Sequence, residues 1–229
     1  MFKLDTEINV LALTSFVLSL FALLSQFSSF LIGSRVELHA PRTVVIRLSK
    51  PANSEDPELH FELPMAYSNS GSKDYAAIIH AEEFKLTYLN ENRQFRRFVN
   101  FDSTEAPKAG WKESPVYKGE RPSGAHVVPG AGSTSHWALF IPLAKHCKPG
   151  DTSACKPAPN AMFVTPTLEG LQAFFRDKTF EVEVSAATAG DKKSAAKCEF
   201  LGAHVADLAG HMLEKGFASV NCFSQVRTK

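Results

Sequence analysis

The chain lacks an excess of charge of either sign, has few cysteines, and carries none of the short motifs that mark common catalytic sites. Its 229 residues include 25 Lys and Arg against 24 Asp and Glu, a formal net charge of +1. With the basic residues scattered, this excludes the electrostatic footprint of a nucleic-acid binder. No G-x-S-x-G, H-E-x-x-H, phosphate-binding G-x-x-x-x-G-K or dinucleotide fingerprint occurs, so the corresponding hydrolase, zinc-protease and nucleotide-binding classes lose their sequence support. "SGSK" at 70–73 fits the S-x-x-K nucleophile pattern, but it lies in a strand-to-strand turn and neither S-D-N nor K-T-G accompanies it. Of the eight His, His204 and His211 stand seven apart on a helical stretch, roughly 10 Å along the axis and too far for one ion. The closing "NCFSQVRTK" has no His or Met after its Cys, as a cupredoxin-like copper site would need. No metal and no cofactor is therefore expected, and the chain does not read as an enzyme.

What the sequence has is a long apolar run. Ile8 to Ile32 is 25 residues without a charge, carrying seven Ser, Thr or Gln. As a helix it would be about 37 Å long against roughly 30 Å of bilayer hydrocarbon, so a transmembrane helix is expected over 8–33, after a short tail at 1–7. The run is too long for the core of a cleavable signal, and no A-x-A site follows it. Ala12, Ser15, Ser19, Ala22, Gln26, Ser29 and Gly33 recur at alternating steps of 3 and 4, the average period of a helix-packing seam. Small and hydrogen-bonding groups of this kind let helices approach in lipid, and Gln26 has the strongest need of a partner. The expected partners are integral membrane subunits along this seam, with membrane lipid around the bulky remainder.

Two signals disagree about which side the remaining residues occupy. Lys3 is the only basic residue before the run, whereas Arg35, Arg42, Arg47 and Lys50 follow it, which favours a cytoplasmic C-terminal part. The cysteines favour an oxidising compartment, because Cys147, Cys155, Cys198 and Cys222 are even in number and spaced for loop closure, without C-x2-C metal spacing. Flanking charge does not stop a folded domain from being exported, so residues 34–229 are expected as one disulfide-stapled domain outside the cytoplasm. Three pairings of the four cysteines remain open.

Beyond the apolar run, short alternating stretches dominate, at 42–49, 59–67, 83–89, 97–101, 136–142 and 180–186. In the third, Phe84, Leu86 and Tyr88 face one way and Glu83, Lys85 and Thr87 the other, the period of a half-buried strand. "SNSGSKD" and "AGDKKS" supply turn chemistry. "TPTLEGLQAFF" and "GAHVADLAGHMLEKG" read as short helices, the first with Leu168, Leu171 and Phe175 on one face and the second with Val205, Leu208, Ala209, Met212 and Leu213. The long Pro/Gly-rich stretch at 102–133 holds Trp111 and Tyr117, candidates for a partner-binding loop, although docking on their own sheet is the favoured reading. The succession "ELPMAYSNSGSKDYAAIIHAEEFKLTY" resembles the strand–turn–strand units of the bacterial immunoglobulin-like sandwich class. The expected fold is mostly β: a transmembrane helix, then an antiparallel immunoglobulin-like β-sandwich with one or two covering helices. The expected role is a non-catalytic accessory or scaffolding subunit of a membrane complex. The competing expectation is a tethered module that recognises a soluble ligand or envelope component through 102–133.

Overall fold

A computed structural model describes residues 13–22, 34–50, 56–105, 110–113, 115–122, 124–142, 161–189 and 192–224. The described part of the first helix, α1, is residues 13–22, and every one of them is exposed. Among the described residues no helix is long and apolar enough to cross a membrane. On the described residues the expected transmembrane span is thus corrected to a short exposed helix, with Phe16, Leu18 and Phe21 at 64%, 71% and 70% exposure.

Every stretch read as a strand lies on one: β1 (Val36–His39) precedes β2 (Thr43–Ser49), β3 (Glu58–Asn69), β4 (Ala77–Tyr88) and β5 (Glu91–Phe101). Then come β6 (Ser103–Glu105), β7 (Val116–Lys118), β8 (Arg121–Pro122), β9 (His126–Val128) and β10 (Ser133–Pro142). The C-terminal part adds α2 (Leu168–Phe175), β11 (Thr179–Thr188), β12 (Lys193–Leu201), α3 (Gly202–Asp207), α4 (Ala209–Lys215), β13 (Phe217–Asn221) and β14 (Phe223–Ser224).

These strands do not form two facing sheets. Twelve of them make one antiparallel ladder in the order β13-β2-β3-β10-β5-β4-β11-β12-β14, with β1, β8 and β9 as side branches, and β6 and β7 pair separately as a small hairpin. β13 ends one side of this path and β14 the other, yet only Cys222 separates them in sequence. The two ends must therefore meet, and the expected sandwich is corrected to a nearly closed, barrel-like sheet. Cys198 in β12 is disulfide-bonded to Cys222 across this seam, and the Leu38 N–H of β1 donates to Ser194 Oγ of β12 at 3.0 Å. Closure needs strong curvature, which twist and β-bulges provide. Register shifts interrupt β10 against β5 at Leu139/Phe140 and β11 against β4 at Ala187/Thr188.

Alternation fills the interior. Leu59, Phe61, Leu63 and Met65 of β3, Phe84 and Leu86 of β4, and Phe180, Val182 and Val184 of β11 are all buried. Phe84 lies 5.0 Å from both Phe61 and Phe95, and 5.6 Å from Phe140, in a cluster of tilted rings.

The helices belong to the same body. Thr167 caps α2 by accepting from the Gly170 N–H, so Pro166 precedes the cap, and Leu171 and Phe175 are buried while Leu168 stays exposed. The single helix expected after Gly202 is broken at Leu208 into α3 and α4, which still bury Val205, Ala209 and Met212. Gly216 ends α4 with φ of 83°, and its backbone lies against Trp111, so close that an added Cβ would stand 3.2 Å from the Trp111 backbone.

Candidate functional site

The core-facing phase of β4 does not stop at Phe84. Two residues earlier it brings Glu82 inside, and the bulge at Ile79–Ala81 restores Ile79 and Ala77 to the interior beyond it. The same phase rule turns Tyr67 of β3, Arg97 of β5 and His136 of β10 inward, while β9 pairs with β4 and sets His126 opposite Ile79. Five polar side chains from five strands thus meet on the inner surface.

Glu82 is the centre of this group. Its carboxylate accepts hydrogen bonds from the Tyr67 hydroxyl and from Arg97 Nη1, with side-chain exposures of 0% for Glu82 and 3% for Arg97. His136 Nε2 lies 3.3 Å from Glu82 Oε1 but is misaligned for a hydrogen bond. Arg97 Nη2 donates to the Gly124 carbonyl at 2.7 Å, and Nη1 approaches His126 Nδ1 at 3.4 Å. The two imidazoles stand edge to face, 4.7 Å between centroids. The Nε2 atoms of both His126 and His136 are buried without a hydrogen-bond partner.

These contacts set protonation. Burial is the largest influence on Glu82 and opposes its charge, but His136, Arg97 and Tyr67 together outweigh it and hold the carboxyl below its ordinary value. Burial, reinforced by the Glu82 charge, pushes the Tyr67 hydroxyl far up, so it stays a donor. His126 is pushed down to about 4, chiefly by burial with help from His136 and Arg97 and against the pull of Glu82, so its ring is neutral at physiological pH. One carboxylate and two imidazoles whose ligating atoms all lie within 4.8 Å of one another could hold a metal ion.

A second buried ion pair sits on the outer surface. Arg47 of β2 and Glu62 of β3 point away from the core, yet their side chains are only 4% and 3% exposed. Arg47 Nε donates to Glu62 Oε1 at 2.5 Å, and the Tyr117 hydroxyl of β7 donates to the same oxygen at 3.1 Å. The small β6–β7 hairpin covers this face, where Phe101 lies 4.8 Å from Tyr117 and 6.2 Å from Trp137. The bulge in β5 makes this possible: Phe95 and Arg97 face inward, and Val99 and Phe101 beyond the shift pack outward with Leu139. A cleft of about 310 Å³ opens beside the hairpin, lined by Arg47, Glu62, Phe101, Trp137 and Phe217 among others. The Arg47 guanidinium carbon lies 5.2 Å over the Phe217 ring, and its Nη1 is buried without a hydrogen-bond partner.

Of the residues singled out in sequence, Ser15, Ser19 and Ala22 lie exposed on α1, and Ala12, Gln26, Ser29 and Gly33 lie outside the described residues. Cys198 and Cys222 are paired, and Cys147 and Cys155 lie outside the described residues. Trp111, in the short 3₁₀ turn Gly110–Lys112, packs against the main core, and Tyr117 turns onto Glu62. Trp111 thus packs on the core beside the Gly216 end of α4, and Tyr117 on the outer face of the sheet. Sequence reasoning missed Glu82, His126 and Arg97. The available signal was the carboxylate at 82, in phase with Phe84, Leu86 and Tyr88.

No protein-family model matches the chain, and no curated protein matches it. Among solved structures it is similar to the crystal structure of Spo0M, a sporulation control protein from Bacillus subtilis, at 11% identity and a TM-score of 0.28. That likeness covers 71% of this chain and 49% of the other, so the chain spans about half the length of the structure it matches. A likeness this weak carries no argument about fold or function.

Proposed function

We propose that the domain is a non-catalytic binding module and that the outer cleft receives a carboxylate borne on an apolar body, as an acidic segment of a partner protein presents it. The observation that carries this reading is Arg47, a cation 4% exposed at a cleft walled by Phe101, Trp137 and Phe217, with Nη1 unsatisfied. A buried guanidinium N–H without an acceptor costs free energy until one arrives, and a carboxylate meets it with a charge-assisted bond. Aromatic walls bury the apolar remainder of such a ligand and exclude water from the new bond. An accessory-subunit role is compatible with this cleft if the acidic segment belongs to a neighbouring subunit.

The test uses N-acetylphenylalanine and its uncharged amide, followed through Trp137 fluorescence in a Trp111→Phe background. Saturable change with the acid alone, lost in Phe217→Ala, is the expected result. Equal responses to acid and amide, or none to either, would remove the cleft from consideration.

A further inference from the structure

We propose that Glu82, His126 and His136 form a binding site for a divalent transition metal, with Zn²⁺ the best-suited ion. One carboxylate oxygen and two imidazole nitrogens are the donor set of His2Glu zinc sites, in which the protein supplies three ligands. The geometry is close to what such an ion requires. Ligands bonded at about 2.0–2.2 Å around a tetrahedral ion stand about 3.4 Å from one another. His136 Nε2 and Glu82 Oε1 are already 3.3 Å apart, and a ligating nitrogen of His126 lies within 4.8 Å of both ligand atoms.

Two further observations point to an ion rather than to a purely structural cluster. Each imidazole has a buried Nε2 without a hydrogen-bond partner, a costly arrangement that a bonded metal relieves. Tyr67 and Arg97 grip the Glu82 carboxylate from two sides. Such gripping orients ligating carboxylates, and each oxygen retains a second lone pair for the metal. The nearby Arg97 charge offsets that of Glu82, so a bound Zn²⁺ leaves the site net positive. This sets an affinity below that of a tetracysteine site and matches a regulatory or stabilising metal. Nothing in this inference depends on the outer cleft, which lies on the opposite surface of the sheet.

The full chain, stripped with a chelator and dialysed, is titrated with CoCl2 and with ZnCl2. One Co²⁺ per chain should produce the intense visible bands of a four- or five-coordinate ion, displaced by Zn²⁺, and Zn²⁺ should raise Tm. His126→Gln and His136→Gln should each weaken binding roughly 100-fold or more, whereas His204→Gln and His211→Gln should leave it unchanged. Circular dichroism checks that each variant folds. Should the core variants not fold, the anomalous signal at the zinc edge in zinc-soaked wild-type crystals decides: a peak among the three residues supports the site. Absence of the visible bands, stoichiometric binding that survives in both core variants, or a peak elsewhere overturns it.

Discussion

Breaking the Cys198–Cys222 bond tests how the sheet is closed. The bond joins residues 24 apart in sequence, but in space it fastens β12 to the short link by which the chain leaves β13 and becomes β14. A crosslink closing a loop of that length removes about 12 cal/mol/K from the unfolded chain, which is about 3.5 kcal/mol at 25 °C. For a domain of this size that corresponds to a Tm change of about 7–14 °C. The comparison is made in a Cys147→Ala/Cys155→Ala background, so that only this pair can respond. Equilibrium urea unfolding of the oxidised and the fully reduced protein then reports the crosslink without the cavity that Cys→Ala would leave at two buried positions. A midpoint fall equivalent to about 3–4 kcal/mol at constant m is expected. If oxidised and reduced protein agree within about 1 kcal/mol, the seam is held by strand pairing and side-chain packing alone, and the role given to the disulfide is wrong.

Three further outcomes are expected. Glu62→Gln leaves the Arg47 guanidinium buried without its counter-charge and should cost about 3–5 kcal/mol in urea unfolding, whereas Arg47→Met/Glu62→Leu should recover at least half of that loss; a double variant no better than the single one contradicts the pairing. His126 resists protonation when folded, with a value of about 4, while the unfolded chain takes up its proton near 6.5. Its contribution is therefore complete above about pH 6.5 and lost as pH falls toward 4. Discounted for a half-buried ring it amounts to about 1–2 kcal/mol, and His126→Phe should flatten the stability profile by that amount in that window, measured in chelator. Gly216→Ala forces a side chain into a left-handed conformation against the Trp111 backbone, and thermal unfolding should show a loss of about 1–2 kcal/mol; a neutral variant would mean that α4 and the 3₁₀ turn are not in contact as described.

The strands were legible because their information is local. Phe84, Leu86 and Tyr88 alternate with Glu83, Lys85 and Thr87, and no tertiary knowledge is needed to see that one side is apolar. The helix at Leu168–Phe175 was legible from Leu171 and Phe175 at helical spacing. The break at Leu208 was not, since Val205, Leu208, Ala209 and Met212 fit one continuous helix equally well. The apolar run at the N terminus was read by its length, and among its described residues, 13–22, the helix is exposed throughout and not long enough to cross a membrane. Trp111 and Tyr117 lie in an irregular stretch with no period, so their docking onto Gly216 and Glu62 had no strong signature in sequence.

By itself the sequence determined which residues are extended and which side of each strand is apolar, because side-chain alternation is a property of a few consecutive residues. Only the tertiary structure decided between two sheets and one nearly closed sheet. That choice depends on whether β13 and β14 meet and on two bulges that bend the ladder, events between residues far apart in the chain. The same holds for the polar cluster. Tyr67, Glu82, Arg97, His126 and His136 span 70 positions of sequence, and no local rule joins them. They meet because five strands pair in one register, and a shift of a single residue in any of them would turn its side chain to the other face.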